Sequence, residues 1–167
     1  DYARVLERTE AFFWGFCDDY LELVKLRAYG EGTPAEVRSA RATLALALSV
    51  LQRLFAPFLP YVAEEVWRWW HEGSIHRAPW PTPLAVAPTE PTYGAVREVL
   101  EALRREKSTA QVSQRARVAI LAISGPAEVL EALRRAAADL AAAGSIEGIE
   151  YAEGPELAVT VSLAPAD

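Results

Sequence analysis

Apolar residues return at intervals of three and four from the start of the chain. Val5, Phe12, Phe16, Tyr20, Leu23 and Val24 keep that spacing, which predicts one long helix over about 2–29. Gly30 and Gly32 stop it. Thr33, Pro34 and Glu36 then supply an N-cap, a first-turn proline and the acid of a capping box, so a second helix starts there. No charge lies between Arg41 and Arg53, and Leu44, Leu46, Leu48, Val50 and Leu51 cover most of its circumference. A helix apolar nearly all round is expected at the centre of a bundle.

Pro57 and Pro60 break the pattern, because proline lacks the donor that a continuing helix needs. A short third helix is predicted over Tyr61–His71, ending at Gly73. Five prolines between 73 and 92 predict an extended crossover, with Trp80 as its anchor. A fourth helix over Tyr93–Lys107 places Val96, Leu100 and Leu103 on one face.

Beyond Ser113 the period changes. Ala116–Ser124 reads as a strand, 125–144 as a helix closed by Gly144, and Ile146–Tyr151 as a second strand. In the last segment Leu157, Val159, Val161 and Leu163 alternate with Ala158, Thr160 and Ser162. Such alternation predicts a sheet with one packed and one wet face. The expected fold is mainly α: a helical bundle over 1–113, then a small α+β subdomain over 114–167 with about three strands.

The overall charge of −6 argues against a general nucleic-acid binder. It is unevenly spread. Residues 118–167 hold two arginines against eight carboxylates, so residues 1–117 are neutral. Inside that neutral part, Arg104, Arg105, Lys107, Arg115 and Arg117 stand against Glu106 alone. Such a patch suits a few phosphate contacts, although a solvated face has the same composition. Asp18, Asp19, Glu64 and Glu65 lack the Glu-x-x-His steps of a di-iron bundle. One Cys and two His fall short of ordinary zinc sets. Cys17 reads as a small buried hydrophobe compatible with a reducing, cytoplasmic setting. No phosphate-cradling glycine loop is present. Neither a catalytic group, a metal site nor a membrane-length apolar run is visible, and a chain that starts at Asp1 inside a helix reads as an excised fragment.

The run Phe12-Phe13-Trp14-Gly15-Phe16-Cys17-Asp18-Asp19-Tyr20-Leu21-Glu22 resembles the first anticodon-domain helix of valyl-tRNA synthetases. The resemblance continues through Pro57-Phe58-Leu59-Pro60 with Glu64-Glu65-Val66-Trp67, through Gly73-Ser74-Ile75-His76 and Trp80-Pro81, and into Arg97, Arg104, Lys107-Ser108 and Ser113. The proline-bounded motif is shared with isoleucyl and leucyl relatives, whereas the Phe-Cys-Asp-Asp-Tyr-Leu-Glu run is similar to the valyl family. The resemblance implies an anticodon-binding region of a class I synthetase. Its partners are valine tRNA and the remainder of the synthetase chain, with neither DNA nor membrane. ATP belongs to a nucleotide-binding fold preceding Asp1, and no cofactor is expected in this fragment. A coiled-coil arm found in many members is either absent or beyond Asp167.

On that reading the candidates for RNA phosphates are Arg97, Arg104, Arg105, Lys107, Arg115 and Arg117, joined by Arg4 and Arg8 on the first helix. Phe13 or Trp14 is the candidate to stack on an unpaired base. The same region of an isoleucyl-type enzyme, or a helical protein-interaction module docking through Trp67, Trp69, Trp70 and Trp80, remains as an alternative.

Overall fold

The capping box at Thr33 is formed as its residues predict. In the computed structural model, which describes residues 1–83 and 92–165, Glu36 N donates to Thr33 Oγ1 at 3.3 Å and Thr33 N donates to Glu36 Oε2 at 2.7 Å. These bonds satisfy donors that a helix start leaves open. The first helical stretch comprises α1 (Tyr2–Gly15), a π-helical turn (Phe16–Leu21) and α2 (Glu22–Tyr29). The chain then continues into α3 (Pro34–Phe55) and α4 (Pro60–Arg68), and a 3₁₀ turn covers Ile75–Arg77. Next come α5 (Thr92–Thr109), β1 (Val118–Gly125), α6 (Ala127–Arg135), α7 (Ala137–Gly144), β2 (Ile146–Glu153) and β3 (Ala158–Leu163). The architecture is a helical region followed by a small α+β region.

The chain divides into two compact units, Asp1–Ala85 and Val86–Asp167. The boundary expected at 113 thus falls inside the second unit, because α5 packs on α6, α7 and β3. Its buried stripe of Val96, Val99, Leu100 and Leu103 belongs to the core of that α+β unit.

In the first unit α3 packs against α1, α2 and α4. Leu46 and Leu48 nevertheless remain exposed. This corrects the expectation of an enclosed central helix: the neighbouring helices among the described residues cover only part of the largely apolar circumference between Arg41 and Arg53. Gly30 ends α2 at φ 115°, a left-handed conformation that glycine adopts without a Cβ clash. Arg41 Nε donates to Ala28 O at 2.9 Å, satisfying one of the last carbonyls of α2.

Ile75, not Trp80, anchors the segment after α4. Ile75 is buried against Ala56, Ala63 and Trp67, whereas Trp80 is exposed. The carboxylate of Glu64 fixes the approach: Oε2 accepts from Ser74 Oγ and from Ile75 N, both at 2.9 Å, while Oε1 accepts from Arg68 Nε at 3.0 Å. The Ser74 hydroxyl is the main reason that the Glu64 pKa lies below its ordinary value, with Ile75 N and Arg68 adding to the effect against partial burial. Residues 84–91 of the expected crossover, including Pro88 and Pro91, lie outside the described residues.

In the second unit the sheet order is β2-β1-β3, with β1 parallel to β2 and antiparallel to β3. The parallel pair needs a crossover, and α6 and α7 supply it. The expected single helix over 125–144 is broken at Ala136, where φ −101° and ψ 9° leave the helical region. Ile123 pairs with Tyr151 and Val159, and Leu121 pairs with Ile149 and Val161, so these side chains share one face of the sheet. Val118, Leu121, Ile123, Leu130, Leu133 and Leu140 are fully buried there, and each such burial contributes about 1.5–3 kcal/mol. On β3 the half-buried Val159, Val161 and Leu163 alternate with exposed Ala158, Thr160 and Ser162, as the sequence predicts.

Gly144 is the tightest point of this unit. A Cβ there would stand 2.6 Å from Leu103 Cδ2 and 2.7 Å from Ile146 Cδ1. Gly144→Ala is therefore expected to destabilise the second unit by about 1–3 kcal/mol through overpacking, read by chemical denaturation. A second outcome follows from Glu64. Its folded pKa is depressed from 4.5, so its stabilisation is complete above that value and is lost as pH falls through the folded pKa. Thermal midpoints of the native protein should therefore exceed those of Glu64→Gln near neutrality, and the gap should close as pH falls below the ordinary carboxylate range and through the folded pKa. A gap independent of pH would contradict the carboxylate's role.

Candidate nucleic-acid interface

On α1, Arg4, Arg8 and Phe12 follow one another at intervals of four residues, which places them on one face of the helix. All three are exposed, Phe12 at 57%. Neither arginine has an ion-pair partner among the described residues. The ring of Phe12 stacks on Phe16 at 6.1 Å, and Phe16 stacks on Tyr20 at 5.4 Å, forming an aromatic ladder into the π-helical turn. Phe13, one of the two expected base-stacking candidates, is half-buried and meets Phe55 of α3 edge-on at 5.6 Å. Its ring is engaged in helix packing, and the available rings are Phe12 and Trp14, the latter 60% exposed. The four-residue spacing from Arg4 and Arg8 is the signal by which Phe12 could have been found.

The second unit holds the remaining candidates. Arg97 Nε lies 2.9 Å from Glu101 Oε1 one helical turn away, and Arg117 Nε donates to Glu147 Oε1 at 2.8 Å across the sheet. Both pairs are exposed, and such pairs contribute only about 0–1 kcal/mol, so exchange of the carboxylate for a phosphate costs little. Arg104 is half-buried, whereas Arg105 and Arg115 are exposed. Arg105 borders a shallow cleft of about 350 Å³ between α5 and β3, whose lining also includes Glu98, Glu101 and Glu106. Three carboxylates beside one guanidinium make that cleft a poor receptor for phosphate.

Lys107 departs furthest from expectation. It is 1% exposed, and its Nζ donates to Gln114 O at 2.9 Å and to Gly144 O at 2.8 Å. A phosphate has no access to it, so Lys107 leaves the set of direct RNA contacts. Burial away from water holds its pKa below the ordinary lysine value. The basic run 104–117 is therefore not a uniform patch. Arg105 and Arg115 are exposed, Arg104 is half-buried, Arg117 is paired, and Lys107 is interior.

With this geometry in view, the comparisons decide the family. Residues 1–122 match the model of the anticodon-binding domain of tRNA ligase. The chain belongs to that family. A valine–tRNA ligase of Salinispora tropica is 51% identical over 92% of this chain, one of Thermobifida fusca is 49% identical over 100%, and one of Leifsonia xyli subsp. xyli is 49% identical over 95%. The chain spans about a fifth of the length of these curated relatives, 20%, 19% and 19% respectively. The anticodon-domain match crosses the division at residues 85 and 86, so both compact units contribute to the matched region. Among the described residues no helix is long and apolar enough to cross a membrane.

The contrast between neighbouring phenylalanines is measurable. Phe13→Ala should cost about 2–3 kcal/mol, less than a fully buried phenylalanine, because it vacates the contact with Phe55. Phe12→Ala should stay within about 0.5 kcal/mol of the parent. Equal losses in urea denaturation would show that α1 is packed the other way round.

Proposed function

We propose that this chain binds the anticodon stem-loop of valine tRNA, as part of a valine–tRNA ligase that acts in the cytoplasm. The observation that carries the reading is the exposed Arg4–Arg8–Phe12 face of α1, inside the family-matched region, with exposed Trp14 on another side of the same helix. Guanidinium groups hold phosphates, and exposed rings stack on bases splayed from a loop. Each stacked base contributes on the order of 1–3 kcal/mol. Arg115 and, after exchanging the partners they already hold, Arg97, Arg104 and Arg117 are the phosphate contacts proposed in the second unit. The RNA-binding region is proposed to run from residue 1 to about 113, close to the end of the family match. Activation of valine with ATP is assigned to the part of the synthetase outside this chain, and no residue here is given a catalytic role.

The valyl assignment, as against an isoleucyl one, rests on the relatives' names and on the Phe16–Glu22 run. A second reading has its own support. Tyr61 is 90% and Trp69 71% exposed, with Val62 and Leu59 also open on and beside α4. Monomeric surfaces seldom leave such clusters uncovered. The remainder of the synthetase chain is the proposed partner for that face.

Titration of the full-length protein with valine tRNA and with an anticodon-substituted version tests the first reading. Weaker binding of the substituted tRNA is expected. The logarithm of the affinity should fall with the logarithm of salt at a slope of roughly −2 to −4, corresponding to about 3–5 neutralised phosphates. Equal affinity for both tRNAs would remove the anticodon claim. Dimerisation on sizing chromatography without any tRNA binding would favour the interaction-module reading.

A further inference from the structure

Two residues other than glycine have positive φ among those described, Gln111 at 55° and Ser145 at 53°. Left-handed backbone costs a side-chain-bearing residue roughly 1–2 kcal/mol, and such strain tends to persist where the surroundings over-determine it. Both residues flank the bonds of one buried ammonium. Gln111 follows α5, where Val112 N donates to Lys107 O at 3.1 Å and Gln111 N donates to Ser108 O at 3.0 Å. Ser145 follows Gly144, whose carbonyl accepts from Lys107 Nζ. The same Nζ reaches forward to Gln114 O. Gln114 in turn donates from Nε2 to Arg104 O at 3.3 Å and to Ser108 Oγ at 3.1 Å. The segment after α5 is thus folded back along the helix as far as Arg104, with Arg115 next in the chain.

We propose that Lys107 is a positioning residue for RNA binding: its buried ammonium locks the 110–117 turn against the ends of α5 and α7, holding exposed Arg115 in place as a phosphate contact. This rests on the tRNA reading above. Both bonds from this ammonium run to backbone carbonyl oxygens. The third proton of the charged form, or the lone pair of the neutral form, does not alter the two bonds on which the lock depends. An apolar side chain of the same length leaves the carbonyls of Gln114 and Gly144 without this donor, so the turn loses the link between α5 and α7. Arg115 then keeps its charge and loses its address.

The test uses the full-length synthetase with valine tRNA, comparing Lys107→Met, Gln114→Ala, Arg115→Ala and the double variant Lys107→Met/Arg115→Ala. Gln114 is exposed, so Gln114→Ala loosens the same turn from outside and carries the test if Lys107→Met fails to fold. Faster amide exchange at Val112 and Ala116 is expected in Lys107→Met and Gln114→Ala. Both should bind tRNA roughly three- to tenfold more weakly, which is at most about 1.4 kcal/mol, with a salt slope shallower by about 0.7–1. The double variant should lose no more than Arg115→Ala alone, because Lys107 acts through Arg115. Additive losses, unchanged exchange, or faster exchange with unchanged affinity and slope would each overturn the proposal. If Arg115→Ala and anticodon substitution both leave binding intact while exchange still rises, the tRNA reading falls together with the RNA role of Lys107, and only the locking of the turn survives.

Discussion

A buried ammonium bonded to two backbone carbonyls orders much of the second unit. Moving an ammonium out of water is costly unless its protons find acceptors, and here the acceptors lie on segments 7 and 37 residues away in the chain. That requirement joins the end of α5 to the end of α7 and to the loop before β1. The contact also explains the close approach at Gly144, whose carbonyl reaches Lys107 while its α-carbon lies against Leu103 and Ile146. Val118 N donates to Ser145 O at 2.9 Å directly after this point, so the start of β1 is set by the same junction. The carbonyl end of a helix carries partial negative charge, which favours a cation there.

The first unit is organised differently. Among the described residues its buried apolar side chains include small ones, Ala40, Ala56 and Ala63, beside Leu23, Val24, Leu51, Trp67 and Ile75. Polar contacts carry a larger share of its definition: the Thr33–Glu36 box, Arg41 on Ala28 O, and Glu64 on Ser74 and Ile75. Trp70 Nε1 donates to Gln52 Oε1 at 3.2 Å, binding α3 to the residues that follow α4. Such an arrangement leaves large aromatic and aliphatic side chains outward, and these are the groups proposed to meet tRNA or the rest of the enzyme.

Helix starts and stops were legible because their signals are local. Thr33 with Glu36, Gly30, Pro60 and the alternation of 157–163 each act within a few residues, and each is found where expected. What the sequence concealed depends on the third dimension. The absence of charge between Arg41 and Arg53 says that a helix tolerates burial all round, not that neighbours surround it. The apolar stripe of α5 says that one face is covered, not that α6, α7 and β3 cover it. Lys107 reads as a surface cation because lysines are seldom fully buried, and the carbonyl of Gly144 that receives it is remote in the chain. Phe12 and Phe13 are indistinguishable by type, and only the position of Phe55 separates them.

The π-helical turn at Phe16–Leu21 sets the phase between the two halves of the first helical stretch. Its wider loop accommodates an extra residue within an otherwise regular helix. Removing one residue there, so that the turn relaxed to ordinary α geometry, would rotate everything before it by about 100°. Arg4, Arg8 and Phe12 would then swing together toward a different side of the first unit, while Leu23 and Val24 kept their places in the core. The six residues of that turn thus act as the rotary setting for the proposed recognition face, up to three turns away.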